Sequence, residues 1–301
     1  MVFNNFFINF IIIKMTNLFY EPPLEVDTNQ ISKILSKISI PWAITIGYLT
    51  VILLIPMAAL FLKSSTLGFA KFWEIATSDV AISAYKVTFI TALFAGFING
   101  LMGTLLAWVL VRYDFPGRKI FDAMIDIPFA LPTAVAGLVL ATVYSPNGWI
   151  GQFFTSFDIQ IAFSRLGVFV AMLFISLPFV VRTLQPVLLE MEKETEEAAW
   201  ALGATDWQTF RLVILPPLIP PILTGIALGF SRAVGEYGSI VVIASNIPFQ
   251  DLIAPVLVFQ RLEEYDYVGA TVIGAVLLLV SLALLFLINF LQKWGNSYAK
   301  N

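Results

Sequence analysis

The sequence predicts an all-α integral membrane protein with six transmembrane helices and both termini on the cytoplasmic or stromal side. Three observations predict this class: 59% of the 301 residues are hydrophobic and only 12% are charged, charge-poor runs recur, and Lys and Arg are unevenly distributed. A soluble domain carries about 25% charged residues, and one soluble core could not bury so much apolar surface. The mean hydropathy of +0.88 agrees with a chain whose solvent is lipid.

The residue types present also limit the chemistry of the chain. It has no Cys and no His, which excludes disulfides, thiolate metal sites and the commonest general base. The net charge is −3 without a basic tract, which argues against nucleic acid as a partner. We therefore expect no catalytic residue, no metal ligand and no bound cofactor.

Charge-poor runs locate the six helices, because about 20 apolar residues cross the hydrocarbon layer. The runs are 42–62, 87–111, 127 to about 144, 165–182, 215 to about 244, and 267–292. The third run opens with two prolines and small residues, a pattern that favours close helix packing over a role in a pathway. The fourth run is slightly short, so Arg165 and Arg182 are expected to snorkel to opposite interfaces.

The distribution of basic residues predicts the orientation and the division of the chain. Of the 17 Lys and Arg, 11 fall on the side of both termini and five on the other, with Arg232 inside helix five; the more basic side is cytoplasmic or its organelle equivalent. We divide the chain into a polar, variable segment (1–40), a first helix with its external loop (41–85), a transmembrane domain (86–292) and a tail (293–301). The first segment lacks the features of a signal peptide, and Met15 is an alternative start.

A charged element separates helices four and five. Glu190 to Ala201 are mostly good helix formers, and Gly203 is placed to end that helix in the left-handed conformation. Thr205 and Gln208 fit a capping box that starts a second helix. In that helix Trp207, Phe210 and Ile214 form one apolar face, and Pro216 and Pro217 are expected to end it. These features alone are equally consistent with a well-capped surface loop.

The spacing within this element resembles a known signature. Glu197-Ala198-Ala199, then Gly203, then Val213-x-Leu215-Pro216 resembles the EAA motif of binding-protein-dependent ABC importer permeases, with Val213 where that family usually has Ile. The resemblance implies a type I ABC importer permease fold. It also implies that residues 186–216, hereafter the EAA loop, seat in a groove on an ATP-hydrolysing subunit. The coupling residues it implies are Glu197, Ala198, Ala199, Gly203, Leu215 and Pro216.

The sequence contains no phosphate-loop motif, so ATP and Mg are expected on the partner ATPase. The chain itself is expected to be a transport subunit and not an enzyme.

Helix five carries two ionisable residues inside an apolar run, Arg232 and Glu236. Such residues are costly in lipid and should face the interior or a wet cavity. Two interpretations remain open: a structural i, i+4 ion pair, or a translocation path in which Arg232 attracts an anion and Glu236 keeps it from binding too tightly. Gly235 and Gly238 are expected to let another helix or the substrate approach closely.

Two further stretches narrow the resemblance to a branch of the family. "RAVGEYGS", which contains Arg232, Glu236 and Tyr237, and "FQRLEEYDYVGA" resemble the T-type sulfate permease subunits of the sulfate/molybdate branch, over residues 40 to 292. This implies import of sulfate or thiosulfate. The implied partners are two ABC ATPase subunits, a W-type permease, an external sulfate-binding protein and the lipid bilayer. A molybdate or tungstate permease and a secondary anion transporter are the alternatives. The AT-rich character of the amino-terminal residues favours a plastid membrane over a bacterial inner membrane.

Overall fold

The computed structural model describes residues 40–298. The expectations for the segment 1–40, including Lys14, Lys33, Lys37 and Met15, and for Lys300 lie outside the described residues, except at Ile40. Residues 40–59 and residues 60–298 belong to two units, and each is described by itself.

Helices form the fold throughout residues 40–298, so the predicted all-α class is confirmed. The first unit contains α1 (Ile40–Leu49), a π-helical turn (Thr50–Leu54) and the beginning of α2 (Ile55–Ser65). The helices that follow are α3 (Phe69–Ala76), α4 (Asp79–Arg112), α5 (Arg118–Ile125), α6 (Ile127–Ala130), α7 (Thr133–Tyr144), α8 (Gly151–Thr155), α9 (Arg165–Glu190), α10 (Lys193–Ala201), α11 (Asp206–Thr209), a second π-helical turn (Phe210–Ile214), α12 (Leu215–Val234), α13 (Ile240–Ile243), α14 (Ala254–Glu263) and α15 (Tyr267–Tyr298).

Within this part of the chain, five helical spans are long and apolar enough to cross a membrane. They are Ile40–Ser65, Asp79–Arg112, Arg165–Glu190, Asp206–Val234 and Tyr267–Ile288. The expected third helix is divided into α6 and α7 at Leu131-Pro132, and α7 is a shorter apolar helix of 12 residues. Five predicted spans therefore appear as long helices, and the third as a broken one.

The core of the second unit forms where α4, α9 and α12 pack together. Val180 of α9 lies between two glycines: a Cβ on Gly103 of α4 would be 2.9 Å from the Val180 side chain, and one on Gly225 of α12 would be 2.8 Å from its Cα. Buried Asn99 of α4 donates to the carbonyl of Leu173 at 2.9 Å and to Ser176 Oγ at 2.8 Å. Small residues and internal hydrogen bonds are how helices associate where no hydrophobic effect drives them.

The fourth span is longer than expected, and its two arginines bind protein groups. Helix α9 has 26 residues and includes Pro178 and Pro186. Arg165 donates to the backbone carbonyls of Phe249, at 2.8 Å, and Gln250, and Arg182 donates to two aspartates of the α4–α7 connection. Hydropathy did not reveal these partners, because they are distant in sequence. The expectation that the two arginines reach opposite interfaces stays a prediction.

Helix five differs from the prediction at both ends. Pro216 and Pro217 do not end the preceding short helix, since Asp206–Val234 forms one span through the π-helical turn. These prolines occupy the first turn of α12, where a missing N–H is tolerated. At the other end α12 stops at Val234, so Glu236 lies after the helix and not inside it.

Candidate functional site

The EAA loop contains a rigid corner between α10 and α11. Gly203 has φ +86°, and its N–H donates to the Trp200 carbonyl at 2.9 Å, while the N–H of Ala204 donates to the Ala199 carbonyl at 3.0 Å. This is the left-handed helix ending that glycine favours. No atom lies within 4 Å of the position of a Gly203 Cβ, so the backbone conformation, and not lack of space, requires glycine here.

The second side of the corner is the capping box predicted from the sequence. Thr205 Oγ1 accepts from the Gln208 N–H at 3.3 Å, and Gln208 Oε1 accepts from the Thr205 N–H at 2.8 Å. Two backbone amides that α11 would otherwise leave free are therefore satisfied, or capped, at its start. The direction in which the chain leaves Gly203 is fixed by these bonds.

Large apolar side chains on this corner are exposed. Leu202 is 89% exposed and Trp207 68% exposed. Exposure decreases along the expected apolar face, since Trp207 is exposed, Phe210 is half-buried and Ile214 is buried. Trp207 stacks on Phe210 with ring centroids 5.7 Å apart. Of the motif residues, Glu197, Ala198, Gly203 and Pro216 are exposed, and Ala199 and Leu215 are half-buried. An exposed apolar patch beside polar residues is typical of a protein interaction site.

An ion pair that the sequence did not reveal joins this loop to the second span. Arg112, the last residue of α4, places Nη2 2.6 Å from Glu196 Oε1 of α10, and the two side chains are 9% and 12% exposed. Arg112 also lies over the Trp108 ring, 5.3 Å from its centroid. The two charged atoms are close but not aligned as a hydrogen bond, since neither has a hydrogen-bond partner among the described residues. No local spacing predicts this contact.

A second charged cluster, also missed from the sequence, joins α5 to α9. Arg182 donates through Nε and Nη2 to both carboxylate oxygens of Asp126 and through Nη1 to Asp122 at 2.7 Å. Gln185 Nε2 donates to the same Asp122 oxygen at 2.8 Å. The bond from Gln185, supported by Arg182 and opposed by partial burial, holds the pKa of the Asp122 carboxyl below its ordinary value. The cluster fixes the α4–α7 connection to the span that leads into the EAA loop.

The predicted ion pair in helix five is present at the helix end. Arg232 Nη1 lies 2.6 Å from Glu236 Oε2, and the side chains are 33% and 2% exposed. The other Glu236 oxygen accepts from both the N–H and the Oγ–H of Ser239, each at 2.9 Å. Because Glu236 is satisfied on both oxygens, its charge can remain buried.

The glycines around Glu236 differ in what they allow. A Cβ on Gly238 would lie 2.1 Å from Thr133 Oγ1, so the start of α7 approaches closely, as predicted. Gly235 has no comparable neighbour, since its Cβ would lie 3.9 Å from the Ser231 carbonyl oxygen of its own helix. Gly137 of α7 in turn packs on the Ser239 backbone, where a Cβ would be 2.4 Å from the carbonyl oxygen. Tyr237 packs on Phe259 with centroids 4.9 Å apart.

The arrangement defines a class: an integral membrane protein with several spans, an ion pair with a buried acid at the end of one of them, and an exposed apolar corner between two spans. Sequence comparison agrees, since the family described as "Binding-protein-dependent transport system inner membrane component" matches residues 99–296. The chain belongs to this family of transport permeases, and it is a multi-pass membrane protein.

Individual relatives are similar to the chain over most of its length. The chain is 71% identical over 265 residues, 88% of its length and 93% of the relative's, to "Sulfate transport system permease protein CysT" of Synechocystis sp.. It is 62% identical over 260 residues, 86% of its length and 91% of the relative's, to "Probable sulfate transport system permease protein cysT" of Chlorokybus atmophyticus.

Solved structures show the same fold. A bacterial ABC transporter involved in the import of alginate matches with a TM-score of 0.70 at 18% identity, covering 88% of this chain and 98% of that one. The MetNI methionine ABC transporter matches with a TM-score of 0.51 at 20% identity, covering 76% and 98%. The predicted type I importer permease fold is confirmed.

Proposed function

We propose that this chain is the membrane-spanning subunit of an ATP-driven importer that carries sulfate or thiosulfate. The observation that supports this substrate assignment is the 71% identity to a relative named as a sulfate permease, over 88% of the chain. The second relative also has sulfate in its name. No relative described above favours molybdate, tungstate or a secondary anion transporter.

The EAA loop is the proposed docking surface for one of two ABC ATPase subunits. The other ATPase subunit is proposed to dock on a second, W-type permease. Support comes from exposed Leu202 and Trp207 beside a corner that Gly203 and Thr205 hold rigid. An element must be both accessible and stiff if a partner is to move it. ATP and Mg belong to the ATPase in this proposal, and this chain performs no hydrolysis.

Arg232, Glu236 and Tyr237 are the proposed translocation residues. Arg232 makes one side-chain hydrogen bond within the described part of the chain, from Nη1 to Glu236, and is a third exposed. Its remaining donors are therefore available to an oxyanion, which guanidinium groups bind through paired hydrogen bonds. Glu236 is fixed by Ser239 and moderates that attraction.

An external sulfate-binding protein is the proposed source of the substrate. The bacterial alginate transporter, whose fold this chain shares, has been solved in complex with a periplasmic protein that holds an alginate pentasaccharide. The host is proposed to be a plastid membrane, with a bacterial inner membrane as the alternative, since the relatives include both Synechocystis and Chlorokybus.

Uptake of labelled sulfate into proteoliposomes tests the proposal. They would contain this chain, its partner permease and the ATPase, with ATP on the ATPase side and the binding protein on the other. ATP-dependent uptake that equimolar molybdate does not suppress is expected, and a non-hydrolysable ATP analogue is the control. Uptake dominated by molybdate would change the assigned substrate from sulfate to molybdate. Absence of uptake of either anion by an intact complex would overturn the proposal.

A further inference from the structure

Two adjacent glutamates of the EAA loop have opposite environments. Glu197 is exposed, as a docking residue requires, whereas the Glu196 side chain is 12% exposed and faces Arg112. Consecutive residues of a helix point about 100° apart, so one can face a partner while the other faces the bundle. The motif residue is therefore free to contact the ATPase, and its neighbour is used inside the chain.

The Arg112–Glu196 pair is the most enclosed ion pair in residues 40–298. Both of its side chains are at most 12% exposed, while every other pair there has at least one side chain that is 30% exposed or more. Charges removed from water in this way attract each other more strongly than surface charges do. The pair therefore resists separation more than an exposed pair would.

The position of the pair matters more than its strength. Helix α10 packs against α11 and the π-helical turn of its own loop, while Arg112 belongs to α4, which packs against both α9 and α12. Trp108, one turn earlier on α4, supports the guanidinium. The pair is thus a direct contact between α10 and the end of a 34-residue helix in the core.

The pair also has hydrogen-bonding capacity that the structure leaves unused. Arg112 Nε and Nη2 and Glu196 Oε1 are buried and have no hydrogen-bond partner in the described range. A contact at 2.6 Å without alignment can become a linear hydrogen bond when one helix tilts. Unused donors beside an unused acceptor are suited to a contact that must persist through two arrangements.

We propose that the Arg112–Glu196 ion pair is a strut that transmits movement of the docked EAA loop to α4. Both are positioning residues: they do not touch the anion. The proposal rests on the proposed function, because it assumes that an ATPase docks on the EAA loop. It adds that docking alone is insufficient for transport and that this pair connects docking to the movement of the bundle.

Coupling measurements on reconstituted complexes test the strut. Glu196→Gln and Arg112→Gln should still assemble with the ATPase, but the ATP hydrolysed per anion imported should rise at least about fivefold, the low end of ordinary coupling between sites. The charge swap Arg112→Glu with Glu196→Arg should lower that ratio again. Asp114→Asn is the matched control, because its pair with Arg118 is also ionic but exposed, with Asp114 at 96%.

A covalent replacement gives an independent reading, because the chain has no cysteine of its own. Arg112→Cys with Glu196→Cys should be uncoupled, and a short bismaleimide joining the two thiols should restore transport. Blocked transport after cross-linking would show that the two helices must separate. Normal coupling of the single variants would show that the pair is dispensable. Either result overturns the strut. If a single variant fails to fold, the charge swap decides, and an uncoupled swap also overturns it. Failure of the proposed function would instead appear as absence of uptake in the unmodified complex.

Discussion

Arg232 and Glu236 form an ion pair of 2.6 Å in which the acid is buried and the base is a third exposed. This difference in burial has a local cause, since the N–H and the hydroxyl of Ser239 both donate to the second Glu236 oxygen. The arrangement therefore leaves the guanidinium of Arg232 partly exposed while the carboxylate of Glu236 is buried.

Replacing Arg232 with Ala should lower anion uptake by about tenfold or more, a loss equivalent to ~1.4 kcal/mol. Arg232→Lys should retain part of the uptake, because the charge remains while the planar fork is lost. Initial uptake rates in proteoliposomes measure the effect. Arg261→Ala is the matched control, since its two ion pairs at 3.5 Å are looser. Unchanged uptake by an assembled Arg232→Ala complex would leave Arg232 only a structural role.

Replacing Gly203 with Val should abolish ATPase docking and transport while leaving membrane insertion intact. At φ +86° an L-residue costs about 1–2 kcal/mol, and a β-branched residue is the least tolerant of that conformation. Gly203→Asn is the control, because Asn adopts the left-handed conformation more readily. Co-purification with the ATPase measures docking. A Val variant that binds the ATPase and transports normally would contradict the docking role.

Two core glycines should differ in their response to Ala. At Gly225 the new Cβ would lie 2.8 Å from the Val180 Cα, whereas at Gly103 it would meet the Val180 side chain at 2.9 Å. Backbone yields less readily than a side chain, so Gly225→Ala should lower the Tm more, by overpacking that costs about 1–3 kcal/mol. Thermal unfolding in detergent measures both. Gly274→Ala, where no atom lies within 4 Å, is the control, and equal Tm values would contradict the packing account.

The Asp122 cluster should make stability depend on pH on the acid side. The pKa of the Asp122 carboxyl is lowered in the folded protein, so its contribution is present above the pKa of the unfolded chain. That contribution is lost as the pH falls through the lowered folded value. Thermal unfolding of the wild type and Asp122→Asn over this range measures it. The difference in Tm between the two should shrink with falling pH, and a constant difference would argue against the linkage.

Local signals in the sequence predicted local structure well. The Gly203 ending and the Thr205–Gln208 capping box depend on residues within a few positions of one another, and both are present. The third helix has the predicted ends but is broken, and the fifth ends about ten residues earlier than predicted. Both differences arise because hydropathy reports apolar character and not continuity. Leu131-Pro132 and Gly235 interrupt runs that remain apolar.

Long-range contacts could not be predicted from one sequence. Arg182 and Asp122 are 60 positions apart, and Arg112 and Glu196 are also distant from each other in sequence. The charges were visible, but which of them meet depends on how α4, α9 and the EAA loop pack. The spacing of Arg232 and Glu236 predicted their ion pair. The hydrogen bonds from Ser239 to Glu236 were not predicted, because they form in the turn that follows the early end of α12 at Val234.

The continuity of Asp206–Val234 gives the docking corner and Arg232 a common axis. At 1.5 Å per residue this span is roughly 40 Å long, so the corner beside Gly203 and the side chain of Arg232 lie near its opposite ends. Its backbone hydrogen bonding is interrupted inside α12, where Pro220 and Pro221 remove two amide donors. The interruption lies near the middle of the span, and the part beyond it that bears Arg232 contains no proline.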